Sequence, residues 1–348
     1  MSLPPVVVGR PRSTPAWFWW LIGFVVLMLV ACAITAAVLL TARFGGGARS
    51  GDVAYTLRVS DKDGRAPDEG TMEETRKILQ DRLRTLDVDR PHVDKTAADT
   101  LRVTAAHGDA ERVKAVLAPG HLTFRMVLGQ TPKGAADADC QAGVQVPGDP
   151  AGPLASAKAK LGDATYAAAG ALTGPDDPAG GKLTGFDKLT CAEVAALPAA
   201  MQYNVPGVSC TMLGHRPAGA PADGDGVTAC DEHNKYRLDV AKVSGEDLAE
   251  AKAGTRADIG AYVVTISFTS AGQGRWTDLT REALGQQVAI LVDDEVVSAP
   301  MIQGVIPGDA EISGGELSQR DGATSLAATL SSGALPAQVT ITATGTVD

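Results

Sequence analysis

Residues 287–300 read QVAILVDDEVVSAP. Positions 288–292 are apolar without interruption. The run is too short for a core helix and lacks the alternation of a strand with one wet face. It predicts a strand covered on both sides. Asp293-Asp294-Glu295 makes the turn, and VVSAP returns. A strand hidden on both faces needs a layer above and below it. Downstream, a helix is expected near 317–330, Gly333 is placed to stop it, and Val339, Ile341 and Ala343 alternate as a final strand. Upstream, Tyr262, Val264, Ile266 and Phe268 alternate with smaller or polar residues, and Trp276 and Leu279 share a helical turn expected to end near Thr280. Phe124 and Trp276 are expected in the core.

Residues 53–128 are patterned as densely. Val53, Tyr55, Leu57 and Val59 alternate as in a strand with one buried face. Met72, Leu79, Leu83 and Leu86 recur at helical spacing, with acids early and arginines late, as the helix dipole favours. A weaker strand is expected near 91–95. Leu101, Val103 and Ala105 alternate, and Asp109 is a candidate cap for a short helix carrying Val113, Val116 and Leu117. Leu122, Phe124, Met126 and Leu128 alternate again. The order strand, helix, strand, strand, helix, strand is that of a ferredoxin-like split βαβ unit. The fold class is α+β.

Residues 129–230 differ. They are rich in Ala, Gly, Pro and Asp, with weak periodicity, and predict an insertion of loops and short helices rather than a large core. They hold Cys140, Cys191, Cys210 and Cys230. An even number in an exported region suggests two disulfides, with Cys210–Cys230 and hence Cys140–Cys191 favoured among three pairings. Free thiols and a metal site are the alternatives. Cys230-Asp-Glu-His233 is at most half a zinc site, and His92, His107, His121 and His215 are scattered. Gly181-Lys182-Leu183-Thr184 grazes a phosphate loop, but position 176 is Asp where that motif wants Gly, and no strand leads in.

At the other end, residues 16–42 carry no charge and are long enough to span a bilayer, which needs about 20 apolar residues. Trp17, Trp19 and Trp20 stand where an interfacial aromatic belt is expected. Arg10 and Arg12 precede the run and Arg43 and Arg49 follow it, so the count of positive charges does not set the orientation. The first 50 residues contain no acid, whereas the remainder has 27 basic against 41 acidic residues, a net charge of −14. A short basic tail (1–15), one transmembrane helix (16–43), a Gly-rich linker (44–52) and an acidic domain read as a signal anchor in the cell membrane, single-pass, with the large domain extracytoplasmic. The competing reading is a lipoprotein cleaved at Leu29-Val30-Ala31-Cys32, although the apolar run continues past Cys32.

The run from 289 to 314, AILVDDEVVSAPMIQGVIPGDAEISG, followed by ATSLAATLSSGALPAQVTI, resembles the SecD protein-export family near the end of its first extracytoplasmic domain. The family shows an apolar strand, Asp-Gly, a strand ending Ser-Ala-Pro, then Ile-Ser-Gly, then a helix closing on Ser-Gly-Ala-Leu-Pro. The matching positions are Asp293, Ser298, Ala299, Pro300, Gly314, Gly333, Leu335 and Pro336. ILQDRLRTLDV, with Arg82, LAPGHLTFRMV, KYRLDVAKVSGEDLAEA and FTSAGQGRWTDLT resemble earlier segments of the same domain. The family's Asp-Gly is Asp293-Asp294 here, and its usual Arg before Ser-Gly-Ala-Leu-Pro is Ser331. The resemblance implies a base at 53–128, a head subdomain at 231–315 and a closing helix and strand of the base at 316–348, interrupted by the insertion at 129–230. The sequence ends at Asp348, whereas SecD continues into membrane helices that, with SecF, use the proton gradient. Proton-driven pulling is therefore not carried over.

The prolines and glycines of these motifs are what turns and helix ends require, so most are expected to maintain the fold. Arg82, read as lying on the polar side of its helix, is expected to be solvated or locally paired. No G-x-S-x-G, H-E-x-x-H or comparable motif is present, so no catalytic, cofactor-binding or metal residue is assigned and no enzyme is expected. An acidic domain lacks the basic face that nucleic acid requires, and no nucleotide is expected. The implied partners are the cytoplasmic membrane, the Sec translocon or SecD–SecF components, and secreted polypeptides. The alternative is an extracytoplasmic scaffold or sensor that binds a cell-envelope partner. In the export reading, Val296 and Met301 are expected at the contact face of the head.

Overall fold

A computed structural model describes residues 52–347 apart from 62–63, 118, 135–137, 142–151, 217–222, 257–259, 294 and 314–319. The expected membrane span, Cys32 and the tryptophans at 17, 19 and 20 lie outside the described residues, as does Gly314. Among the described residues no helix is long and apolar enough to cross a membrane.

The fold is mixed α+β. Its first sheet grows from β1 (Val53–Ser60), whose alternate residues Tyr55, Leu57 and Val59 are buried. Helix α1 (Glu69–Thr85) begins where Asp68 accepts a hydrogen bond from the Thr71 amide. It buries Met72, Leu79 and Leu83 against the sheet. Strands β2 (His92–Ala97) and β3 (Thr100–Ala105) follow, then α2 (Ala110–Val116). Asp109 precedes α2 without capping it through its side chain. Its carboxylate accepts from the Asp89 amide instead, which fixes the turn after α1.

Strand β4 (Leu122–Pro132) departs from the sequence reading. It does not complete the first sheet. That place belongs to β13 (Gln338–Thr346), which pairs antiparallel with β1, so the order is β13-β1-β3-β2. The alternation at 122–128 fixes which face of a strand is apolar, not which sheet receives it.

The insertion is helical: α3 (Gly152–Leu161), α4 (Asp163–Gly170), α5 (Cys191–Ala196), α6 (Ala199–Asn204) and α7 (Cys210–Gly214). Contrary to expectation it has a core of its own. Phe186, Leu189, Val194, Leu197, Met201 and Met212 are among its buried residues. The helices have 5–10 residues each, too short to display a period, so the core exists only once they are gathered. Cys140 is bridged to Cys191, and Cys210 to Cys230.

The chain then forms β5 (Val227–Cys230), β6 (Asn234–Leu238), β7 (Val243–Ser244), β8 (Leu248–Arg256) and β9 (Ala261–Phe268). Helix α8 (Ser270–Glu282) starts at the Thr269 cap. Strands β10 (Val288–Val292), β11 (Glu295–Ser298) and β12 (Ala310–Ile312) and helix α9 (Arg320–Ser331) lead back to β13. Pairing closes on itself through β4, β10, β11, β5, β6 and β4 again, a small ring of five strands. Strand β10 is covered on both faces. Ala289 and Leu291 join Val227, Ala229, Tyr236, Leu238 and Val296 in one cluster. Val288 and Ile290 join Phe124, Val264, Ile266, Trp276 and Ile312 in another. There Phe124, Phe268 and Trp276 pack with ring centroids 5.1–6.0 Å apart. Helix α9 links the units, with Ala328 in the core of the first sheet and Ala323, Ala327 and Leu330 in that of β8 and β9.

Candidate functional site

Arg82 is fully buried and bonded to residues far along the chain, where a solvated or locally paired side chain was expected. It lies three residues after Leu79 and one before Leu83, so it shares their stripe on α1. Its guanidinium gathers chain segments far apart in sequence. Nη1 donates to the Val116 carbonyl at 3.0 Å, and Nη2 to the carbonyls of Pro119 at 3.0 Å and Gly333 at 2.7 Å. Nε donates to Ser332 Oγ at 2.9 Å. The planar fork of arginine suits such convergence; lysine could not hold all four acceptors. Burial lowers its pKa to about 10, with nearby Asp293 acting in the opposite direction.

Asp293 closes the same node from the head. Its φ of 55° is left-handed, a conformation Asp tolerates better than most residues. Its carboxylate accepts from the amides of His121 at 2.8 Å and Gly120 at 3.2 Å, while its own amide donates to the His121 carbonyl. Burial raises its pKa; those two hydrogen bonds and Arg82 oppose the rise. Gly120 is required here: φ is +79°, and a Cβ would come within 2.7 Å of Arg82 Nη2 and still closer to Thr329 Cγ2. The Leu335 amide donates to the Pro119 carbonyl. The two crossings between the first sheet and the rest of the chain, at 119–121 and 332–335, therefore run side by side, pinned by Arg82 and Asp293.

The motif residues found by sequence divide accordingly. Arg82, Asp293, Gly333 and Leu335 meet at this node, and Gly333 takes a φ of +80° after α9. Ser298, Ala299 and Pro300 do not reach it. They end β11 beside β10, where the Pro300 carbonyl accepts from the Val288 amide and that of Ala299 from Gln287 Nε2. Pro336 is exposed next to the node. Gly120 and His121 lie within LAPGHLTFRMV, but no role could be assigned to either from that segment, since their partner Asp293 is 173 and 172 positions away.

The outer edge of the head carries exposed apolar residues. Met301 is 59% exposed, and Leu128, Leu284 and Val305 are also exposed. Their segments adjoin: the Val127 amide donates to the Gln287 carbonyl, and Gly285 and Gln286 bond to Ile302. Val296, expected at this face, is instead 2% exposed within the strand ring.

Residues 225–337 match the family model of the SecDF P1 head subdomain. Over those residues the chain is similar to the periplasmic domain of the SecD family. The SecD subunit of Acetobacter pasteurianus is 33% identical over 155 residues, 44% of this chain and 27% of that protein. That of Elusimicrobium minutum is 42% identical over 100 residues, 29% of this chain and 21% of that protein. The chain thus spans about a quarter of the SecD subunits it matches. A crystal structure of SecDF in a super-membrane-facing form aligns with 92% of this chain and 35% of that chain, at a TM-score of 0.48 and 19% identity. Among the described residues the node offers no acid–base pair or nucleophile aimed at a cavity. The four hydrogen bonds of the Arg82 fork described above are spent on holding chain. Asp139, Cys140 and His215 cluster within 4.8 Å, but Cys140 is already in a disulfide, so the set lacks a free thiolate for a metal.

Proposed function

We propose that this SecD-family domain serves protein export by holding extended or partly folded polypeptide, or a translocon component, without chemistry of its own. The observation that carries the reading is the exposed apolar edge of the head at Leu128, Leu284, Met301 and Val305. Clustered exposed side chains of this kind mark contact surfaces. In this reading residues 16–43 anchor the chain in the cell membrane, the acidic domain lies outside, and a ferredoxin-like base carries the head through the Arg82 node. Tethering raises local concentration, so weak and reversible contacts suffice. A photo-crosslinker at Met301 or Leu284 should trap a secretory protein or a translocon component in living cells, while one at the buried Val296 should not. Capture of unrelated envelope proteins only, with secretion unchanged on deletion, supports the scaffold or sensor reading instead. Protease added to spheroplasts should digest the large domain; complete protection would overturn the topology.

A further inference from the structure

The two disulfides of the insertion have different chemical surroundings. In the Cys140–Cys191 bridge, Cys191 is half-buried at the surface, whereas Cys140 is 7% exposed. Asp139 lies directly beside the buried sulfur. Its Oδ1 is 3.6 Å from Cys140 Sγ and accepts from the Cys140 amide at 2.7 Å. The same oxygen is 2.8 Å from His215 Nδ1. A carboxylate oxygen, an imidazole nitrogen and Cys140 Sγ all fall within 4.8 Å of one another. The His215 hydrogen bond is the main reason the Asp139 pKa is lowered. Asp139 and His215 are 76 positions apart, so only the folded insertion brings them to the bridge. Cys210–Cys230 is similar in exposure, with Cys210 half-buried and Cys230 buried, and differs in its neighbours. It ties α7 to β5, and the neighbouring Asp231 is engaged by the amides of His233 and Asn234 and by the Tyr236 hydroxyl. Among the described residues no carboxylate or imidazole is hydrogen-bonded to its sulfurs.

We propose that Cys140–Cys191 is a thiol-exchange site, which takes an incoming thiol on Cys191 and uses the Asp139–His215 pair to protonate Cys140. The proposal does not depend on the export reading. A thiolate attacks Cys191 Sγ, and a new sulfur–sulfur bond forms there. The Cys140–Cys191 bond breaks, and its electron pair leaves on Cys140 Sγ. Protonated His215 supplies the proton, giving a Cys140 thiol that donates to Asp139 Oδ1 and a neutral imidazole. One disulfide is exchanged for another, so no external oxidant is consumed. The direction follows from exposure and leaving-group stabilisation: the accessible sulfur is attacked, and the sulfur with an acid beside it leaves. The shared chemistry is a thiol, whether of a small molecule or of a cysteine in an unfolded polypeptide.

The test uses the full chain in detergent, in a Cys32→Ser background. The protein is exposed to reduced glutathione at several pH values, quenched with N-ethylmaleimide and mapped by mass spectrometry. The expected result is that Cys140–Cys191 opens roughly tenfold faster than Cys210–Cys230, with glutathione on Cys191. His215→Gln, which removes the proton donor, should slow that opening several-fold. It should leave the Cys210–Cys230 rate unchanged. A parallel arm replaces glutathione with an unfolded peptide bearing one cysteine. Capture of the peptide on Cys191 assigns a polypeptide thiol, and capture of glutathione alone assigns a small one. Equal opening of the two bridges, adducts on Cys140, or an opening rate unchanged in the His215→Gln protein would overturn the proposal. His215 is exposed, so its substitution leaves the fold testable.

Discussion

Replacing Arg82 with Met should loosen the node without emptying the space its side chain fills. The structure sets the size of the effect. Four acceptors lose a donor: the carbonyls of Val116, Pro119 and Gly333 and the hydroxyl of Ser332. Hydrogen bonds from a charged donor are worth about 1.5–3 kcal/mol each, and a buried acceptor left bare costs about 1–3 kcal/mol. Two circumstances reduce the sum. Pro119 keeps its bond from Leu335, and water can reach the part-buried acceptors at Ser332 and Gly333. Methionine also avoids the burial of charge that lowers the arginine pKa to about 10, which at about 1.4 kcal/mol per unit returns roughly 3 kcal/mol. The net expectation is a loss of about 3–5 kcal/mol, as for removal of one partner from a buried charged network. Arg84→Met, on the exposed face of the same helix, should change stability by less than about 0.5 kcal/mol. Urea unfolding gives the magnitude, and hydrogen exchange gives the place. Protection at His121 and Leu335 should fall first, ahead of β1 and β3. A change under about 1 kcal/mol with unaltered exchange would refute the claim that Arg82 pins the two crossings.

Gly120→Ala should cost about 2–4 kcal/mol, because it meets both a left-handed backbone and Arg82. Gly64→Ala, with φ +76° and nothing within 4 Å, should cost only about 1–2 kcal/mol; equal effects in thermal melts would show that crowding at the node is unimportant. Lys235 is buried with its ammonium on the Val208 carbonyl, and burial lowers its pKa from 10.5 to about 7. Between those values the unfolded chain binds one more proton than the folded one, so stability should rise with pH by up to about 1.4 kcal/mol per unit. Lys235→Met should flatten that rise in urea titrations at pH 7, 8 and 9, and an unchanged slope would contradict the assignment. Replacing Cys210 and Cys230 together by Ala removes a link across 20 positions, expected to cost about 3 kcal/mol and to fall on the insertion, with exchange protection of β1 and β3 retained.

Periodicity spoke clearly where one element met one core. The uninterrupted run at 288–292 is covered on both faces, and Met72, Leu79 and Leu83 form the buried side of α1. It was silent where allegiance mattered. Strand β4 alternates as an outer strand of the first sheet would, yet it joins β10, because pairing partners are chosen by tertiary packing. Arg82 was readable in part: the spacing 79-82-83-86 is an apolar stripe, and its one charged member had to be buried or to interrupt it. Charge outweighed position in the sequence reading. The acceptors that make burial tolerable come from 34 to 251 positions away. The same distance hid the Asp139–His215 pair beside Cys140.

The pairing of β1 with β13 bears on the order in which the chain can fold. Thr342 Oγ1 donates to the Thr56 carbonyl across 286 positions. Closing so long a loop adds little entropy cost beyond a shorter one, since the cost grows only with the logarithm of length. The delay is one of supply. As the chain emerges from its N-terminal side, β1, β2 and β3 and their helices appear early, but the fourth strand exists only after the head and the insertion have passed. Until then β1 presents an open edge, available for pairing with any extended segment nearby. The first sheet to start is therefore the last to be finished, and its final strand reports that everything between has arrived.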